Sequence, residues 1–178
     1  MELKTGDIFA VRGRGIFGWL HRKLLIPYTD RFHLGLLGDY VPEEDDWVIL
    51  ESIDRGVAVG RLSFYNLEDL KFYTPKDSTF GVQAALQATK HGRARYDYGL
   101  FLHIIYYGVK ALITNYRRYR IFKAFYYDIP NKTNARLICT ELVGEAYRGL
   151  ASVFDNRYEA TPANFQKQVD LGYIHELK

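Results

Sequence analysis

Two runs of the chain alternate apolar with small or polar residues at the period of a β-strand, and they lie one short connection apart. In RFHLGLLGDY, residues 31–40, Phe32, Leu34 and Leu36 fall on one face, while His33, Gly35 and Leu37 fall on the other. In WVILESIDRGVAVGRL, which starts at Trp47, the residues Trp47, Ile49, Glu51 and Ile53 alternate with Val48, Leu50 and Ser52. The acidic VPEEDD segment between the runs reads as a hairpin connection closing through residues 39–46, so the two should pair antiparallel. Such pairing brings His33 against Glu51 or Ser52 across the ladder, and the register decides which.

The rest of the chain supplies partners for such a sheet. GDIFAVRG, from Gly6, predicts a first strand, and Leu67 to Tyr73 reads as a strand or loop edge. Gly15 to Ile26 predicts a short helix stopped by Pro27. Thr79 to Lys90 predicts a helix with Val82, Ala85, Leu86 and Ala88 on one side. HGRARYDYG reads as a loop or helix start. The clearest helix is Thr140 to Leu150, with Leu142, Val143, Ala146, Tyr147 and Leu150 on one stripe. A Pro-started helical turn and a last strand-like piece close the chain in ATPANFQKQVDLGYIHELK. With 178 residues, 48% of them apolar, the expectation is one α+β domain with a real core.

Cys139, in RLICTELVGEAY, is the only cysteine, which excludes an internal disulfide and a Cys-rich zinc site. It precedes Leu142 and Val143 by three and four residues, so it shares their buried side at the first turn of the predicted helix. A thiol there feels the positive end of the helix dipole and unpaired backbone N–H groups, which favour thiolate. Read alone, the residue fits a small buried hydrophobe better than a nucleophile. His33 adds a base: mid-strand among Phe, Leu and Gly, it needs partners for both ring nitrogens, and Glu51 is placed to orient it. A thiol, a base and an acidic orienter are the three parts of an activated acyl-transfer site.

These residues match a family pattern. The order GDIFAVRG, FHLGLLG, VILESIDRGV, ARYDYG, ICTELVGEAY, ATPANF resembles the circularly permuted branch of the NlpC-type papain-like cysteine hydrolases. That branch includes the YiiX-like amidases and, more distantly, the lecithin:retinol acyltransferase-like enzymes, and in it the histidine precedes the cysteine. The resemblance implies Cys139 as nucleophile, His33 as general base, Glu51 as the acidic third member, and Tyr96 near the oxyanion, with Tyr98 as its competitor. It implies an antiparallel sheet or small barrel packed on the helix that bears the cysteine. It further implies cleavage of an amide or ester bond in a lipid or cell-wall peptide through a thioester, with neither metal nor cofactor. The same triad supports acyl transfer, and a papain-like shell also serves as a non-catalytic binding or structural module, for instance in a virion assembly.

One segment departs from the family pattern: about forty residues separate the tyrosine motif from the cysteine, so 99–135 reads as a helical insertion in a single domain, 1–178. From Tyr98 to Tyr127 it has no acidic residue, yet carries Lys110, Arg117, Arg118, Arg120 and Lys123 among aromatic and aliphatic residues. Aromatics make up 16% of the chain, a surplus that is either packed or presented. The insertion would contact a membrane surface through 99–127, track nucleic acid, or pack as a hairpin with its arginines reaching into water. A net charge of +3 is too small to imply a nucleic-acid binder. The uncharged run Tyr98 to Val109 is too short to span a bilayer. Met1 to Thr5 is polar and runs directly into a strand-like segment, which leaves no secretory signal and points to the cytoplasm, virion association or a peripheral membrane site. His21, His91, His103 and His175 show no metal-ligand spacing, and EEDD at 43–46 reads as a solvated turn.

Overall fold

The alternating runs pair as their periodicity requires, and everything else is arranged around that ladder. A computed structural model describes residues 2–15, 31–119, 136–151, 153–154 and 160–178; the helix expected over 15–26 lies outside them beyond Gly15, as do residues 120–135 of the segment read as an insertion. Strand β1 (Ile8–Arg12) pairs antiparallel with β2 (Arg31–Val41), and β2 pairs with β3 (Asp46–Ile53) across a turn at Pro42–Asp45. The single run expected from Trp47 is in fact two strands, because the chain folds back at Asp54 and Arg55 into β4 (Gly56–Arg61). Gly56 permits this: its φ is +105°, and a Cβ there would lie 2.3 Å from the Ala94 carbonyl oxygen.

Strand β5 (Leu70–Pro75) pairs with β1, and the last strand, β8 (Ile174–Glu176), pairs with β5, so the sheet order is β4-β3-β2-β1-β5-β8. All these pairings are antiparallel. A separate two-stranded parallel ladder joins β6 (Arg95–Tyr96) to β7 (Arg136–Leu137). The helices are α1 (Gly81–Thr89), α2 (Tyr98–Tyr119), α3 (Cys139–Ala146) and α4 (Pro162–Asp170). The molecule is thus a mixed α+β protein on an antiparallel sheet.

Period-2 alternation sorts the strands' side chains into two apolar layers. Ile8, Ala10, Leu34, Leu36 and Leu50 face the helices, where they meet Leu142, Val143, Ala146, Tyr147 and Phe165. Phe9, Val11, Leu37, Ile49, Leu62, Leu70 and Phe72 make the layer on the other face. Helix α1 buries only part of the expected side: Ala85 and Ala88 turn inward together with Ala84, while Val82 and Leu86 are 59% and 60% exposed. The cause is a close crossing, since a Cβ on Gly6 would stand 2.2 Å from the Cα of Gly81. Only glycine and alanine leave room for a helix that near the start of β1.

Candidate active site

The site forms where the sheet splits. The ladder between β2 and β3 begins at Gly35 opposite Glu51, so residues 31–34 of β2 pair only with β1, and Ser52 and Ile53 pair only with β4. The N-terminal end of α3 fits into this fork. Ser52 donates its hydroxyl to the Leu137 carbonyl at 2.8 Å, which anchors the approach to the helix. Thr140 does the same one turn later, donating to the Ala160 carbonyl. The Glu141 carboxylate reaches back to accept the Ile138 backbone N–H at 2.9 Å, satisfying a donor that the helix start leaves over. These anchors fix Cys139 as the first residue of α3, with its side chain buried.

His33 stands on the facing strand and joins the two candidates on either side of it. Its Nε2 lies 2.6 Å from Glu51 Oε2, so the register settles on Glu51 as the partner, while Ser52 is committed to Leu137. The ring also hydrogen-bonds Cys139. With Nε2 engaged by the carboxylate, Nδ1 is the nitrogen left for the sulfur. The sulfur additionally accepts backbone N–H groups of Leu34 and Thr140. Leu34 can donate because β3 has already diverged from β2 at that point.

Electrostatics follow from these contacts. Burial alone would lower the His33 pKa, but its hydrogen bonds to Cys139 and Glu51, and their charges, push it up to about 9. Burial would raise Cys139, yet the His33 hydrogen bond and charge together with the two backbone amides hold it below an ordinary thiol. Burial would raise Glu51 as well, but hydrogen bonds from His33 and Tyr65 keep it below the usual carboxylate range. Each of these shifts runs in the direction that favours thiolate, imidazolium and carboxylate in a row.

Tyr65 was not singled out from the sequence. It follows a short 3-10 turn, Leu62–Phe64, where no periodicity marks it. Its hydroxyl donates to the same Glu51 oxygen at 2.6 Å, and its ring lies 6.2 Å from the His33 ring, close to parallel. Phe9 closes the cluster, with ring centroids 6.3 Å from His33 and 5.7 Å from Tyr65. Gly35 makes room for it, because a Cβ there would lie 2.4 Å from the Phe9 ring.

Tyr96 pairs with Leu137 in the parallel ladder, two residues before the cysteine. Burial first, then the negative charge of Cys139, raises its hydroxyl pKa, so it remains a proton donor. Tyr98, the competitor, is 55% exposed and donates to the Asp54 carbonyl at 3.1 Å, with its ring edge against Tyr96. A cleft of about 390 Å³ opens beside these groups, lined by Val11, His33, Ile53, Tyr65, Tyr96 and Tyr98 among others. The acidic turn is tied into hydrogen bonds: Tyr40 donates to Asp45, Arg61 pairs with Glu44 at 2.8 Å, and Ser63 donates to Asp46.

Comparison with solved structures decides the fold. The chain superposes on the crystal structure of the metalloprotein YiiX from Escherichia coli O157:H7 with a TM-score of 0.55, covering 98% of this chain and 96% of that one. The fold is YiiX-like. Identity over the match is 13%, so the likeness extends to the fold alone. No family model matches the sequence, and no curated protein does. What a YiiX-like fold supplies here is the sheet fork and the helix seated in it; the chemistry has to be read from the side chains.

Proposed function

We propose that the chain is a cysteine hydrolase of the circularly permuted, NlpC-type papain-like kind, acting on an amide or ester bond in a lipid or cell-wall peptide. The observation that carries this reading is the continuous relay from Glu51 Oε2 through the His33 ring to the Cys139 sulfur at a helix start. In this reading the chain is one domain with residues 99–135 as an insertion. A depressed thiol pKa beside a raised imidazole, joined by hydrogen bonds, is the arrangement an activated nucleophile needs.

The steps follow from the charge state. The Cys139 thiolate attacks the substrate carbonyl carbon and forms a C–S bond, while the C=O electron pair moves onto oxygen. That oxyanion is met by the Cys139 backbone N–H and the Tyr96 hydroxyl. Collapse expels the amine or alkoxide, which leaves with the Nδ1 proton of His33. Neutral His33 then takes a proton from water as the hydroxide adds to the thioester. A second collapse releases the acid and restores the thiolate and imidazolium. Glu51 stays ionised throughout and holds the ring. With an amine or alcohol in place of water, the same steps transfer the acyl group.

YiiX is described as a metalloprotein, but the residues here do not make a matching ligand set. His33 hydrogen-bonds both Cys139 and Glu51, so its ring stands between the sulfur and the carboxylate. Among the described residues no group of three His, Cys, Asp or Glu is placed to hold a metal ion.

The test is the rate of Cys139 alkylation by iodoacetamide against pH, in the wild type and in His33→Ala. A thiolate-like rate that persists well below pH ~8, the range of an ordinary thiol, and is lost in His33→Ala is expected. A wild-type rate that titrates like a free thiol sinks the reading. Cys139→Ser should fold normally and lose turnover on any amide or ester the wild type cleaves.

A further inference from the structure

Helix α2 carries a face that the chemistry above does not use. Leu102, Tyr106, Ile113 and Tyr116 are 63%, 60%, 46% and 46% exposed, and together with Tyr98 they recur at helical spacing as one strip along its length. Exposed Lys110 and Arg117 run along one flank of that strip, while Arg118 lies on the far side of the helix. The whole chain has 21 acidic residues, yet none of them falls between Tyr98 and Tyr119. An apolar strip edged by cations, with no carboxylate to offset them, complements a surface that is greasy within and anionic at its rim. The strip is also continuous with the candidate active site, because Tyr98 lines both the strip and the cleft. Among the described residues no helix is long and apolar enough to cross a membrane, so the fitting geometry is one that lies along the surface.

We propose that α2 is a docking helix that lies on an anionic lipid bilayer and holds the mouth of the cleft against it. The apolar strip enters the boundary between headgroups and acyl chains, and Lys110 and Arg117 meet the lipid phosphates. Docking depends on this helix face and not on the thiol, so it stands or falls separately from catalysis.

Co-sedimentation of the full chain with vesicles tests it, using phosphatidylcholine alone and phosphatidylcholine mixed with phosphatidylserine. The wild type is expected to sediment with the mixed vesicles, to do so less as salt rises, and to remain in solution with phosphatidylcholine alone. Lys110→Gln/Arg117→Gln should weaken partitioning roughly five-fold per charge, about twenty-five-fold together. Leu102→Ser/Tyr106→Ser should also release the protein, and Cys139→Ser should bind like the wild type. Failure of the wild type to bind mixed vesicles, or full binding by either helix variant, overturns the proposal. So does a wild type that ignores vesicles but binds a single-stranded oligonucleotide, or one that forms a dimer broken by Leu102→Ser/Tyr106→Ser.

Discussion

At the scale of single residues, one carboxylate oxygen does two jobs. Oε2 of Glu51 accepts both the His33 ring and the Tyr65 hydroxyl, each at 2.6 Å. Tyr65 touches neither the sulfur nor the cleft's reacting centre by hydrogen bond, so its part is to position: it fixes the carboxylate that fixes the base. Glu51→Gln removes the charge that helps hold His33 protonated, and should lower kcat by about 10- to 100-fold, the worth of one hydrogen bond to a charged group. Tyr65→Phe should cost about tenfold in kcat with little change in KM, and should move the alkaline limb of the pH profile. The sign of that limb follows from the contacts. His33 has a raised pKa, so the imidazolium needed by the leaving group is present at neutral pH and is lost as pH rises through about 9. Cys139 has a lowered pKa, so the thiolate is lost only as pH falls through that depressed value. A rate profile that keeps climbing past pH 9 contradicts the assignment of His33 as acid.

Elements decide whether those residues meet. Strand parity put His33 and Glu51 on matching faces, and that much was legible because period-2 alternation survives in the sequence. The choice between Glu51 and Ser52 was not, since it depends on where β2 and β3 part, a tertiary event with no local signature. Tyr65 was illegible for a related reason: a 3-10 turn delivers it. The inward side of α1 was legible only in part: Ala85 and Ala88 turn in as expected, while Val82 and Leu86 do not, because the Gly6–Gly81 crossing admits only small residues. Helix α3 was easy to find, as its stripe is long and apolar. Gly35 shows how tightly the elements are matched. An added methyl would press on the Phe9 ring and the Leu50 carbonyl. Gly35→Ala should cost about 1–3 kcal/mol in a denaturant titration and, by shifting Phe9 against His33, slow Cys139 alkylation as well. Unchanged stability would mean that Phe9 moves aside freely.

Across the whole molecule, the proposed base and nucleophile come from opposite parts of the chain. Strands β1 to β4 pair with near neighbours in sequence, so the ladder that carries His33 and Glu51 is built from short-range contacts. Cys139 lies more than a hundred residues from His33 and arrives with α3, whose apolar stripe must bury against a sheet already in place. Refolding monitored by quenched alkylation should therefore show the fast thiolate rate appearing with tertiary packing, later than the sheet's far-ultraviolet signal; simultaneous appearance would contradict that order. The fork between β2 and β3 then acquires a meaning beyond geometry. A chain in which α3 has not docked carries an ordinary thiol, because neither the Leu34 amide nor the His33 ring is beside it. In the proposed reading, activation of the sulfur arrives only with assembly.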